Sequence, residues 1–289
     1  MICKEYSKIP RWAGTIRGFE VYTTNARLPG CRQTRNTERK AAMSNILLIH
    51  GAWGGAWVYN DLIRELESRG HSATAIDLPG HGADTTEIAE VTMDAYVERV
   101  VREISAHHES GVVLAGHSLA GSVISAVAER NSDSIESLVY LCALLPKHGQ
   151  TPIELMKSDA GGWLLPRIEF SDDQSYATVS ETTVREVFLH DVIGHQRVAD
   201  LVSRFAIKQA TQPFMVEAEL SGERFDSVPK AYVRCERDRV MSTELQDLMI
   251  SSWDVDRVVN LDSGHFPLLS MADRLADAID QAVGTPVSR

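Results

Sequence analysis

Only four cysteines occur in 289 residues, Cys3, Cys31, Cys142 and Cys235, and none has the short spacing of a metal knuckle or redox pair. That excludes a disulfide-stapled secreted scaffold and a zinc ribbon. Cys142 and Cys235 sit inside apolar runs and read as buried thiols, which suits a reducing compartment; the expected location is cytoplasmic. No run of 18 apolar residues exists, so no membrane-spanning helix is expected. Positive charge is scarce: 29 Lys and Arg face 40 Asp and Glu, a net charge of −11. This balance argues against nucleic acid and anionic membrane surfaces as partners. The chain also lacks internal repeats, low-complexity tracts, an Asn-x-Ser/Thr acceptor and the apolar core of a signal peptide.

What is present is a soluble globular composition, 44% hydrophobic and 24% charged, long enough for one large domain or two. Charge is unevenly spread. Residues 1–42 carry nine Lys/Arg against three Asp/Glu, and the remainder carries twenty against thirty-seven. This basic leader has weak periodicity and reads as a peripheral, partly disordered segment outside the chemistry. Three origins remain open for it: an extension upstream of a functional start at Met43, an Arg-rich targeting segment, or a short hairpin around residues 18–22.

From Met43 to the end, residues 43–289, strands and helices alternate. Apolar strands are expected at 46–49, 72–77, 111–115, 135–143, 231–235 and 257–261. Helical spacing appears at 57–68, after Thr92, at 119–129, at about 242–252 and at about 268–283. Alternation of this kind makes right-handed βαβ units: an α/β fold with a mostly parallel central sheet covered by helices on both faces. Between about 146 and 228 the alternation stops, and this stretch reads as a helical or irregular cap inserted over the strand ends.

Val112-Val113-Leu114-Ala115-Gly116-His117-Ser118-Leu119-Ala120-Gly121 carries the chemistry. An apolar strand ends in a small-residue turn with Ser118 at its apex, and a helix follows at once, the form of a nucleophile elbow. The strict pattern has glycine fifth, where this chain has Ala120 and then Gly121. A serine nucleophile needs a base and a carboxylate that orients the base, each just beyond a strand end. His265, in Asp262-Ser263-Gly264-His265, follows the last strand and is the candidate base. Asp238 stands three residues past the strand 231–235 and is the candidate acid, with Glu236 its local competitor. Acyl transfer also needs oxyanion donors. The N–H groups of Ala52, in the glycine-rich loop after the first strand, and of Leu119, beside the nucleophile, are placed to serve. His50 reads as a residue that shapes this loop.

With those residues in view, the chain from Asn45 to about Val283 resembles the α/β-hydrolase superfamily. More narrowly it resembles the plant methyl esterase and hydroxynitrile lyase branch and its bacterial carboxylesterase relatives. The resemblance rests on His50-Gly51-Ala52-Trp53-Gly54-Gly55-Ala56-Trp57, the elbow 116–121, Val233-Arg234-Cys235-Glu236-Arg237-Asp238, the stretch 223–229 and Gly264-His265. It implies an α/β-hydrolase fold with a Ser118-His265-Asp238 triad, an oxyanion hole at Ala52 and Leu119, and neither metal nor organic cofactor. Ala120 departs from the usual glycine and is expected to shift the elbow slightly.

The leading expectation is a carboxylic ester hydrolase working through an acyl-enzyme on a small to medium, partly hydrophobic ester. Trp53, Trp163, Phe188, Phe214 and Phe266 are its candidate pocket residues. Lyases of the resembling branch typically have threonine where this chain has Gly51 and lysine where it has Phe266. A lactone or amide could be opened by the same groups, and a ligand-binding receptor with little turnover is the alternative of another class. The partner is then a small-molecule ester, with no nucleic acid and no membrane; a homodimer stays open.

Overall fold

The computed structural model describes residues 43–107 and 111–283, so the leader reading of 1–42 lies outside the described residues. Six strands form one sheet: β1 (Asn45–Ile49), β2 (Ser72–Ile76), β3 (Val112–His117), β4 (Ile135–Leu141), β8 (Lys230–Cys235) and β9 (Arg257–Leu261), in the order β2-β1-β3-β4-β8-β9. Every neighbouring pair is parallel. Ile46 to Ile49 and all of β3 are buried, as strands covered on both faces must be.

The helices run between strands: α1 (Asn60–Ser68), α2 (Met93–His107), α3 (Ala120–Asn131), α6 (Thr243–Ser251) and α7 (Ala272–Val283). Thr92 starts α2 as the sequence suggests, its Oγ1 accepting the Ala95 N–H at 3.0 Å. Small residues let α3 lie close against the sheet, with eight of its residues buried. None of the described helices is long and apolar enough to cross a membrane.

The insertion carries α4 (Pro152–Ser158), opened by a Thr151/Glu154 capping box, and α5 (His195–Arg204). It also holds what its sequence conceals, a small antiparallel sheet of β5 (Ile168–Phe170), β6 (Tyr176–Val179) and β7 (Gln209–Ala210). These strands are two to four residues long, and β7 joins from 30 residues downstream of β6. Period-2 alternation cannot register over so few positions.

Register sets where the chemistry falls. Ile49 pairs Gly116, His117 pairs Leu141, and Leu141 pairs Val233, so these strands end at one edge. Ser118, Asp238 and His265 all lie just beyond that edge.

Candidate active site

At the end of β3 the chain turns into α3 through Ser118, whose φ is +56°, a left-handed conformation that non-glycine residues rarely adopt. Such strain persists only where the surroundings enforce it. Here the Ser118 N–H donates to Leu141 O at 3.3 Å, and the Ser118 carbonyl accepts from Gly121 and Leu144 at 3.0 and 2.9 Å. The tight crossing requires glycine at two places. A Cβ on Gly116 would lie 2.8 Å from Ala120 O, and one on Gly121 would lie 2.3 Å from Leu144 O. The second obligatory glycine is thus Gly121, and Ala120 keeps its methyl, buried, without breaking the turn.

His265 Nδ1 donates to Asp238 Oδ2 at 2.7 Å, and both side chains are buried. The other Asp238 oxygen accepts the N–H groups of Val240 and Met241 at 2.7 and 3.0 Å. The two loops are also stitched through their backbones, Arg237 N–H to Ser263 O at 2.9 Å. Glu236 faces solvent and cannot compete. The His265 carbonyl is gripped from the sheet by His117 Nε2–H at 2.7 Å and Cys142 S–H at 3.4 Å. No hydrogen bond joins Ser118 Oγ to His265 Nε2, and Nε2 has no protein partner among the described residues. Such contacts in a free hydrolase commonly tighten only with substrate in place.

The loop after β1 faces the elbow. A Cβ on Gly51 would stand 2.7 Å from Ser118 Cβ and 2.9 Å from His117 O, so only glycine allows this approach. Among the described residues the N–H groups of Ala52 and Leu119 donate to no protein acceptor, although both residues are buried. Leu119 also opens α3, where the helix dipole favours developing negative charge.

Three further histidines crowd this region, and burial disfavours the charged form of each. His50 Nδ1–H donates to Gly51 O at 2.8 Å and its Nε2 accepts Leu78 N–H at 3.1 Å, so it shapes the loop and has no lone pair to spare. Burial, with His81 beside it, lowers its pKa from 6.5 to about 3. Burial likewise lowers His81, and it drives His117 well down with help from His265. In the unfolded chain each binds a proton near pH 6.5, while in the folded state each resists it. Stability should therefore hold above that value and fall as pH drops toward 3. His50 alone removes up to roughly 1.4 kcal/mol per pH unit between its unfolded and folded values, and the other two act in the same direction. Urea midpoints should fall clearly between pH 7.5 and 5; an unchanged midpoint would contradict the assignment.

The candidate pocket aromatics separate into three groups. Trp53 and Phe214 line a tight apolar crevice of about 10 Å³ with Ile153, Met156, Ala177 and Met215. Phe188 and Phe266 are buried packing around the imidazole: Phe188 lies 6.5 Å from the His265 ring and Phe266 lies 4.7 Å from the His117 ring. Trp163 is 43% exposed, has the guanidinium groups of Arg167 and Arg239 over its ring, and does not line the crevice. Sequence reasoning missed Ile153 and Met156 as pocket walls and Gln209, a buried cap residue that accepts the Trp53 N–H at 3.1 Å. No local signal marks them, since only the fold of the insertion brings them beside Trp53.

A parallel sheet with a strained serine at a strand-to-helix turn and a buried His-Asp pair at the same strand edge has the architecture of an α/β hydrolase. The alpha/beta hydrolase family model matches residues 46–278, and the chain belongs to that family. A pyrethroid hydrolase from Sphingobium wenxiniae is 31% identical over 254 residues, covering 84% of this chain and 89% of the relative. Methylesterase 2 of Arabidopsis thaliana is 28% identical over 247 residues, 81% of this chain and 93% of its own. The crystal structure of a pyrethroid hydrolase from Sphingobium faniae superposes with a TM-score of 0.73 at 29% identity, covering 83% of this chain and 97% of that one. These relatives place the chain among the esterases of the family.

Proposed function

We propose that this esterase cleaves an uncharged, partly hydrophobic carboxylic ester through an acyl-enzyme on Ser118. The observation that carries the reading is the buried 2.7 Å bond from His265 Nδ1 to Asp238 beside a serine held at φ +56°. With Nδ1–H committed to the carboxylate, Nε2 carries the lone pair and acts as the base. It takes the Ser118 proton as Oγ bonds to the carbonyl carbon. The carbonyl oxygen becomes an oxyanion received by the Ala52 and Leu119 N–H groups. Collapse breaks the ester C–O bond, and the imidazolium returns the proton to the leaving alcohol. Water, activated by the same imidazole, then clears the acyl group. No step calls for a metal or organic cofactor.

The apolar pocket supports the substrate class. Its polar lining groups are already engaged, the Thr211 hydroxyl with Gln174 O at 2.6 Å and the Trp53 indole N–H with Ala177 O at 3.2 Å. Relatives named as a methylesterase and a pyrethroid hydrolase are consistent with such esters. Lyase chemistry has no support from the two positions that distinguish it: Gly51 has no room for a threonine Cβ, and Phe266 is a buried aromatic.

A panel of nitrophenyl and alkyl esters, with acyl and alcohol parts varied separately, tests the class. Short to medium neutral acyl chains should be turned over and dicarboxylic monoesters rejected by about tenfold or more, because the pocket offers a charge no partner. Preference for the charged esters would refute the reading. Absence of turnover across the panel would favour a binding protein.

A further inference from the structure

Trp53 holds the most demanding backbone in the oxyanion loop. Its φ is +54° and it is 1% exposed. It is the third residue of a turn closed by Gly54 N–H to Gly51 O at 3.3 Å. Positive φ at that position belongs to a type II turn and is normally left to glycine or asparagine. The alternative, type I, differs by turning over the central peptide, here the one joining Ala52 to Trp53. For a bulky aromatic residue the type I form is intrinsically the easier one. Something outside the turn must hold it.

Both N–H groups of Trp53 end on the insertion. The backbone N–H donates to Gln209 Oε1 in β7 at 3.1 Å, and the indole Nε1–H donates to Ala177 O in β6 at 3.2 Å. Gln209 is completely buried and fully engaged. Its Nε2 donates to Ala210 O at 3.0 Å and to Tyr96 Oη at 3.3 Å, and His81 Nε2 lies 2.9 Å from its Oε1. The amide cannot turn round, because Trp53 N–H only donates and Ala210 O only accepts.

We propose that Gln209 is a positioning residue for the oxyanion hole: by accepting the Trp53 N–H it holds the 51–54 turn, whose closing Gly54 N–H grips Gly51 O, the far end of the peptide that carries the Ala52 N–H. The proposal rests on the Ser118 reading above. It makes the insertion part of the catalytic assembly, since displacing β7 releases the turn and blurs the donor.

The test uses nitrophenyl ester hydrolysis by the full chain. Gln209→Met keeps length but removes the acceptor, and kcat should fall about tenfold or more, less than the roughly 10²–10³-fold loss of an oxyanion donor itself. KM should stay within about twofold, because the ground-state ester gains little from the donor. Gln209→Glu, held protonated by its complete burial, keeps one oxygen to accept the Trp53 N–H and an O–H to donate to Ala210 O, and should recover several-fold over Gln209→Met. In a Trp53→Gly background the turn accepts positive φ unaided, so there Gln209→Met should change kcat little. Wild-type kcat in Gln209→Met, or an equal loss in both backgrounds, would overturn the proposal. Should Gln209→Met not fold, Gln209→Ser, which leaves room for water, replaces it under the same criteria. Ser118→Ala separates the two claims. Hydrolysis that survives Ser118→Ala removes the nucleophile assignment, whereas an inactive Ser118→Ala beside an unimpaired Gln209→Met removes the positioning role alone.

Discussion

Ser118→Ala should lower kcat for nitrophenyl esters by about 10⁴–10⁶-fold, leaving only what the oxyanion donors and binding contribute. The substitution removes one oxygen and leaves Cβ in place, so the contact with Gly51 and the backbone bonds to Leu141 and Leu144 persist. Because alanine bears the same left-handed φ that serine bears, the thermal midpoint should barely move. Ser118→Gly gives the complementary result: equally inactive, but more stable by about 1 kcal/mol, since glycine adopts positive φ without strain. An active-site phosphonate that labels wild type should label neither variant. Retained turnover in either would move the nucleophile elsewhere, and equal stability of all three would mean the elbow stores no strain.

The fold and the strand-end positions of the candidate groups were legible because their signals are local. The central strands of the main sheet, β1, β3, β4 and β8, are largely buried runs five to seven residues long, and the edge strand β9 falls on the expected residues 257–261. Ser118, Asp238 and His265 were found from their offset past a strand end, and register brings those offsets to one edge. Glu236 and Asp238 differ by two residues, and only the turn bonds to Val240 and Met241 explain why the latter is aimed inward. The insertion was legible as an interruption and no further. Its sheet depends on pairing between segments far apart, and Gln209 meets Trp53 across 156 residues. Aromatic content located Trp53 and Phe214 at the pocket but could not separate them from Phe188 and Phe266, which pack against histidine rings, or from Trp163, which is covered by arginines. Side-chain identity is the same in all five, and what differs is long-range placement. Ala120 taught the reverse lesson: a motif mismatch vanished once the steric requirement was found at Gly121.

Asp238→Asn should cost about 10⁴-fold in kcat while leaving the fold intact, and the reason is the direction of the amide. The Val240 and Met241 N–H groups demand an acceptor at Oδ1, so the asparagine oxygen must stay there. Its Nδ2 then faces His265 Nδ1, where the aspartate oxygen stood at 2.7 Å. Two donors cannot meet, so the imidazole gives up the Nδ1 proton and carries it on Nε2 instead. That tautomer presents an N–H to Ser118 and cannot take its proton. Asp238→Ala removes the clash along with the carboxylate, leaving the tautomer free. It should therefore be less impaired than Asp238→Asn, even though it deletes more and is less stable, having lost the two turn bonds. An order reversed from this, with the asparagine variant the more active, would show that Asp238 anchors the loop without governing the proton on His265.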